Sequence, residues 1–198
     1  MTGYQDFVEL FGSGRFVSSK DIKQMYPFEK ALSSLYIIPT FFKGIYYVPT
    51  SRERKGHFIE NKQDFFISLF DLVYGRKRWY WALTTAARFY GFEWSTTGIL
   101  EIMTLAKSKT VSIVDRASSL QKKRSYRSIT LAEYLDSLQV NIIYIHKGSK
   151  ERFNSVRIDG ELGPICSKDQ LFEDLKQYRS KVKGSNLKKV YDRILKEY

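Results

Sequence analysis

The sequence predicts a mixed α+β protein on three observations. Apolar residues recur at helical spacing in the opening and closing segments, β-branched and aromatic runs at 41–48, 99–105 and 142–145 have strand character, and glycines and prolines punctuate the change from one to the other. With 198 residues, 43% hydrophobic and 16% aromatic, the chain can bury one large core or two small ones.

A first helix is expected over Tyr4 to Phe11, stopped by Gly12 and Gly14, since glycine accepts the left-handed backbone that closes a helix. Ser18 reads as the N-cap of a second helix, with Asp21 three residues on, Ile22 and Met25 as its apolar face and Pro27 as its stop. A third helix is expected from Phe28 to Ile37, with Ala31, Leu32 and Leu35 on one side and Pro39 beyond its end. Phe41 to Pro49 then reads as two strands turned at Lys43-Gly44. Helix, helix, turn, helix and hairpin is the order of a winged helix-turn-helix, whose third helix enters the major groove while the hairpin touches the backbone.

Ser51-Arg52-Glu53-Arg54-Lys55-Gly56 has the composition of a solvated connection. The expected division is therefore a winged-helix-like module at 1–50, a linker at 51–61 and a larger α/β domain at 62–198. In that domain Phe66, Leu69, Phe70 and Val73 mark one helix face, and Leu83 to Tyr90 forms a second helix stopped by Gly91. Strands are expected at Ile99–Leu105, Thr110–Val114 and Ile142–Ile145, with a helix before the last begun by Thr130-x-x-Glu133. Val156 to Leu162 reads as a hairpin with an Asp-Gly type I′ turn. Two helices close the chain, one capped by Ser167 and lined by Leu171, Phe172, Leu175 and Tyr178, the other striped by Leu187, Val190, Tyr191, Ile194, Leu195 and Tyr198.

Thirty-three basic against 21 acidic residues give a net charge of +12, which favours polyanionic partners through counterion release. The excess lies late in the chain, because residues 1–60 hold eight basic and six acidic side chains. Its densest run is Lys107, Lys109, Arg116, Lys122, Lys123, Arg124 and Arg127 against Asp115, with Tyr126 placed to stack on an unpaired base. Arg76, Lys77 and Arg78 form a second basic cluster, and the aromatics that follow it belong to a core. The third helix offers Lys30 and Ser33, and the hairpin tip offers Lys43. These residues make double-stranded DNA the expected partner, with RNA as its alternative.

One cysteine, Cys166, permits no internal disulfide, and with only His57 and His146 it completes no structural zinc site. The opening MTGYQDFVEL carries acids where a secretory signal needs basic residues, and the longest apolar run, Phe65 to Tyr74, is broken by Asp71. A cytoplasmic protein without a membrane partner is expected. No phosphate loop, dinucleotide fingerprint, HExxH helix or nucleophile elbow occurs, so no catalytic residue, metal or cofactor is expected either.

Three stretches carry a resemblance to a known family. They are Phe41 to Pro49, the expected wing, which ends in Gly44-Ile45-Tyr46-Tyr47-Val48-Pro49, Tyr80 to Phe92, where an aromatic strand leads into a small-residue helix ended by glycine, and Ser167 to Leu175, with Asp169 and Asp174 at two acidic positions. Together they resemble the AbiEi-type antitoxin and transcriptional regulator family of abortive infection systems, over about Gly14 to Leu195. The resemblance implies a winged helix followed by an antitoxin-like domain, repression of its own promoter, and a partner toxin of the nucleotidyltransferase class.

Two other classes stay open. Gly148-Ser149 followed by Asp159 and Glu161 loosely matches the serine and paired carboxylates of a nucleotidyltransferase, although the Asp-Gly turn would send the carboxylates apart. A protein-interaction adaptor that never touches nucleic acid would fit the weakly charged third helix.

Overall fold

The computed structural model describes residues 3–96, 98–182 and 185–197. The fold is mixed α+β, as expected. It divides into two compact units, one formed by residues 1–69 and 113–139, the other by 70–112 and 140–198.

The first unit opens with α1 (Tyr4–Phe11), β1 (Arg15–Ser18), α2 (Ser19–Met25), α3 (Phe28–Ser33), β2 (Ile38–Pro39) and β3 (Ile45–Val48). The strands form an antiparallel sheet in the order β1-β3-β2, with Phe16 opposite Tyr47 and Ile38 opposite Tyr47 on the other edge. Phe7, Phe11, Ile22, Tyr26, Ala31, Ile37 and Val48 make its core. Ser18 caps α2 as expected, its hydroxyl accepting from the Asp21 amide at 3.1 Å.

The third helix is shorter than expected. It ends at Ser33, and Leu35 adopts φ 54° while the Tyr36 amide donates back to the Ala31 carbonyl at 2.9 Å. A leucine in the left-handed region costs on the order of 1 kcal/mol, but this exit buries Leu35, Tyr36, Ile37 and Ile38, whose apolar area outweighs that cost. Phe41 and Phe42 likewise leave the expected strand. Thr40 accepts from the Phe42 amide at 3.1 Å and donates to the Ile45 carbonyl at 3.1 Å, so its hydroxyl builds the turn that precedes β3.

The segment read as a linker contains α4 (Ser51–Gly56). Thr50 and Glu53 form a capping box, which satisfies two of the amides a helix start leaves open. A long helix, α5 (Lys62–Tyr74), follows and runs on into the second unit. The first unit is completed by α7 (Ile113–Gln121) and α8 (Tyr126–Ser137), so residues 113–139 do not fold with the segment that surrounds them in sequence. Helix α8 begins at Ser125, whose hydroxyl accepts from the Ser128 amide at 3.1 Å. The expected cap, Thr130, is buried inside the helix.

The second unit holds β4 (Trp79–Trp81), α6 (Leu83–Phe89), β5 (Ile99–Thr104), β6 (Lys109–Ser112), β7 (Ile142–Lys147), β8 (Arg157–Asp159), β9 (Gly163–Ile165), α9 (Lys168–Tyr178) and α10 (Ser185–Glu197). Its sheet runs β6-β7-β5-β4-β9-β8, with β5 and β7 parallel and Met103 level with His146. The strand expected over Thr110–Val114 stops at Ser112, where Ile113 starts a helix. The expected type I′ turn is absent: neither Asp159 nor Gly160 has positive φ, and the Asp159 carboxylate instead accepts from the Glu161 and Leu162 amides at 3.0 Å each. Ser167 caps α9 as expected, and Leu187, Tyr191 and Ile194 bury one face of α10. Tyr198 lies outside the described residues.

Candidate functional site

In the first unit the end of α3, helix α4 and the start of α8 border a groove of about 530 Å³. Ser33, Ser34, Arg54, Lys55, His57 and Tyr126 line it. The Arg54 guanidinium lies over the rings of Tyr4 and Tyr36, at 4.7 and 5.1 Å, and donates to the Ser34 carbonyl at 3.2 Å. Arg54 therefore ties α4 to the end of α3, while Lys55, one residue on, is exposed. His57 ends α4 in the left-handed region at φ 55°, with Nδ1 2.8 Å from a Glu133 carboxylate oxygen and its ring edge-on to Tyr126 at 6.2 Å. Tyr126 is 72% exposed, so an aromatic face stands open beside cations, the pairing that stacking on nucleobases uses.

Of the residues expected to face nucleic acid, Lys30 is exposed on α3 with its ammonium 6.0 Å from the Tyr26 ring, and Ser33 donates to the Lys30 carbonyl at 3.2 Å. Lys43 is exposed in the turn before β3. Lys122, Lys123 and Arg124 form the exposed corner between α7 and α8, where Arg124 takes φ 50°, and Arg127 is half-buried in the first turn of α8. Burial lowers the pKa of Arg116, which lies half-buried on α7 near Tyr46. Lys107 and Lys109 belong to the second unit, as do the exposed Arg76, Lys77 and Arg78 ahead of β4. The basic run from Lys107 to Arg127, continuous in sequence, is thus divided between two units. Arg54, Lys55 and His57 were not among the expected site residues because their segment had the composition of a connection; the signal for their helix was Thr50-x-x-Glu53.

The second unit contains a buried polar centre. Glu101, fully buried on β5, accepts from the Thr84 amide at 3.0 Å and the Thr84 hydroxyl at 2.6 Å through one oxygen. Its other oxygen accepts from the Tyr191 hydroxyl at 2.6 Å and lies 3.0 Å from His146 Nε2. Leu83, at φ 49°, makes the turn that aims the Thr84 amide at this carboxylate. Burial by itself would raise the Glu101 pKa, but the hydrogen bonds and charge of His146, with those of Thr84 and Tyr191, hold it below the usual value. Glu101 is therefore an ionised acceptor. The sequence signal was a lone acid in the apolar strand Ile-Leu-Glu-Ile-Met, which demands donors from elsewhere in the fold.

Cys166 is fully buried, its thiol pushed up to about 12 by burial and directed at the Trp81 carbonyl 3.8 Å away, while His146 is engaged with Glu101. Asp174, one of the two acids in the third family-like stretch, is buried and accepts from the Tyr80 hydroxyl at 2.9 Å and Gln170 at 2.7 Å. Among the described residues no group of three His, Cys, Asp or Glu side chains could hold a metal ion, and no helix is long and apolar enough to cross a membrane.

A mixed α+β chain with an aromatic and cationic groove in one unit and a buried carboxylate centre in the other is as far as fold and site define a class. No protein-family model matches the chain, and neither does any curated protein.

Proposed function

We propose that this chain is an antitoxin-like, DNA-binding regulator of a cytoplasmic toxin-antitoxin system, which contacts nucleic acid through its first unit, represses its own promoter and restrains a partner toxin of the nucleotidyltransferase class. One observation carries the nucleic-acid part. The order helix, strand, helix, helix, strand, strand, with the antiparallel sheet order β1-β3-β2, supports a winged helix-turn-helix reading and leaves Lys30 on the third helix and Lys43 in the wing turn exposed. The groove beside α3 adds Lys55 and Tyr126 to that surface, and the corner of Lys122, Lys123 and Arg124 adds cations suited to phosphate binding. Because α3 has six residues, the DNA backbone supplies more of the affinity than base reading does. The toxin-restraining part rests on the resemblance of residues 41–49, 80–92 and 167–175 to the AbiEi-type family.

Binding of the protein to a labelled duplex of its own upstream region, against random duplex and single-stranded RNA over a range of salt, tests this reading. Sequence-preferring binding to the upstream duplex is expected. Reversing Lys43, Lys55, Lys122, Lys123 and Arg124 to glutamate should flatten the dependence of log affinity on log salt by about 0.9 for each phosphate that is no longer neutralised. Unchanged affinity and slope would overturn the assignment. Co-production with a toxin of the nucleotidyltransferase class tests the antitoxin part: relief of the toxin's growth arrest is expected, and unrelieved arrest would overturn it.

A further inference from the structure

The buried carboxylate of the second unit opens onto a cavity of about 390 Å³, a size that small-molecule sites commonly have. Glu101, Ser108, Lys109, Tyr144, His146 and Tyr178 are among its walls, and Lys181 joins them. The geometry of these groups narrows the ligand in three steps.

Glu101 occupies His146 Nε2, which places a ring proton on that nitrogen, pointed at the carboxylate. Nδ1 makes no hydrogen bond among the described residues and is left for a ligand, on a ring that the carboxylate holds in place. The walls are flat and aromatic: Tyr144 and His146 stack at 6.3 Å with 26° between planes, and Tyr178 meets His146 edge-on at 5.1 Å. Two cations border the same cavity, Lys109 from β6 and Lys181, whose ammonium lies 4.8 Å from the centre of the Tyr178 ring. Glu101 accepts from Thr84 and Tyr191 and lies against His146, while the ammonium groups of Lys109 and Lys181 put positive charge at the cavity border, which attracts an anion.

We propose that this cavity binds a nucleoside phosphate, with the base against Tyr144 and His146 and the phosphate between Lys109 and Lys181. The ligand is either a free mononucleotide or a 5′-phosphorylated end of a strand, which present the same chemistry. The site lies wholly within the second unit and does not depend on the DNA-binding reading of the first.

The chain has two histidines, one in each unit, which supplies an internal control. Imidazole resonances of the isotope-labelled full chain are followed while AMP, adenosine, inorganic phosphate or a 5′-phosphorylated tetranucleotide is added. AMP should shift the His146 signals saturably and leave His57 in place. Adenosine and phosphate should each bind at least about tenfold more weakly, as should AMP to the Lys109→Glu/Lys181→Glu variant, because each of these pairings lacks the stacked base or the charge-assisted hydrogen bonds to the phosphate. The Tyr144→Ala variant, at a half-buried wall position, should weaken AMP more than phosphate. Tighter binding of AMP than of the tetranucleotide identifies the free nucleotide as the source, and the reverse identifies a strand end. His146 signals unmoved by every probe, phosphate binding as well as AMP, or a charge-reversed variant that binds like the parent would each overturn the proposal. Movement of His57 alone would place the ligand in the groove of the first unit and overturn it too.

Discussion

Each unit of this protein buries a glutamate at the hub of a hydrogen-bond network, and the two hubs differ in what donates to them. Glu53, 2% exposed in α4, accepts from the Thr50 amide at 2.8 Å, the Glu60 amide at 2.9 Å and the Tyr47 hydroxyl at 2.9 Å. Every one of these donors lies within seven residues, so the hub is a local device that closes a strand-to-helix junction. Glu101 draws on Thr84, His146 and Tyr191, which are 17, 45 and 90 positions away, and one of its donors is an imidazole on the wall of a cavity. The same residue type at similar burial is a piece of architecture in one place and the anchor of a candidate ligand site in the other. The partners decide which.

Substitutions separate the two hubs, and the largest effect is expected at the second. Glu101→Ala leaves an amide, two hydroxyls and an imidazole without their acceptor, and removing one partner of a buried charged network costs about 3–5 kcal/mol in urea unfolding. Glu53→Ala strands two amides and one hydroxyl but no imidazole, and about 2–3 kcal/mol is expected. A larger loss at Glu53 than at Glu101 would break the comparison. Tyr191→Phe removes a single hydroxyl donor to the Glu101 carboxylate and should cost about 1.5–3 kcal/mol in the same measurement.

Acid unfolding sharpens the contrast. The Glu101 carboxyl lies below its ordinary value of 4.5 in the folded protein, so its contribution is complete above that pH and is lost as pH falls through the lower, folded value. Stability of the parent should therefore drop on the acid side of 4.5, and Glu101→Gln, which cannot titrate, should show a flatter acid limb in urea midpoints measured across that range. An identical acid limb in the two proteins would remove Glu101 from the account. The smallest effect is expected for Thr50→Ala, about 1 kcal/mol, since it deletes a cap while Tyr47, Glu60 and the Thr50 amide still hold Glu53. A much larger loss would mean that the cap, and not the glutamate, organises the junction.

These networks also mark how far the sequence could be read. Ser18 and Ser167 were legible as caps because a side-chain oxygen three residues before its amide partner is a short-range relation. The early end of α3 was not, because Leu35 enters the left-handed region only where burial of the following residues compensates the strain, and spacing carries no sign of that. Arg54 and Lys55 looked solvated by composition. The guanidinium is in fact packed against the rings of Tyr4 and Tyr36, distant in sequence and in edge-on contact with each other.

By itself, the sequence determined the fold class, most of the helices and strands and the basic balance, since all of these follow from residue type and local period. Tertiary structure alone decided which donors Glu101 found, His146 among them, and that one continuous basic run is shared between two units. The physical reason is range. Propensities and caps act over a turn or a strand, whereas burial of a charge is settled by whichever distant groups the packed core brings within hydrogen-bond reach.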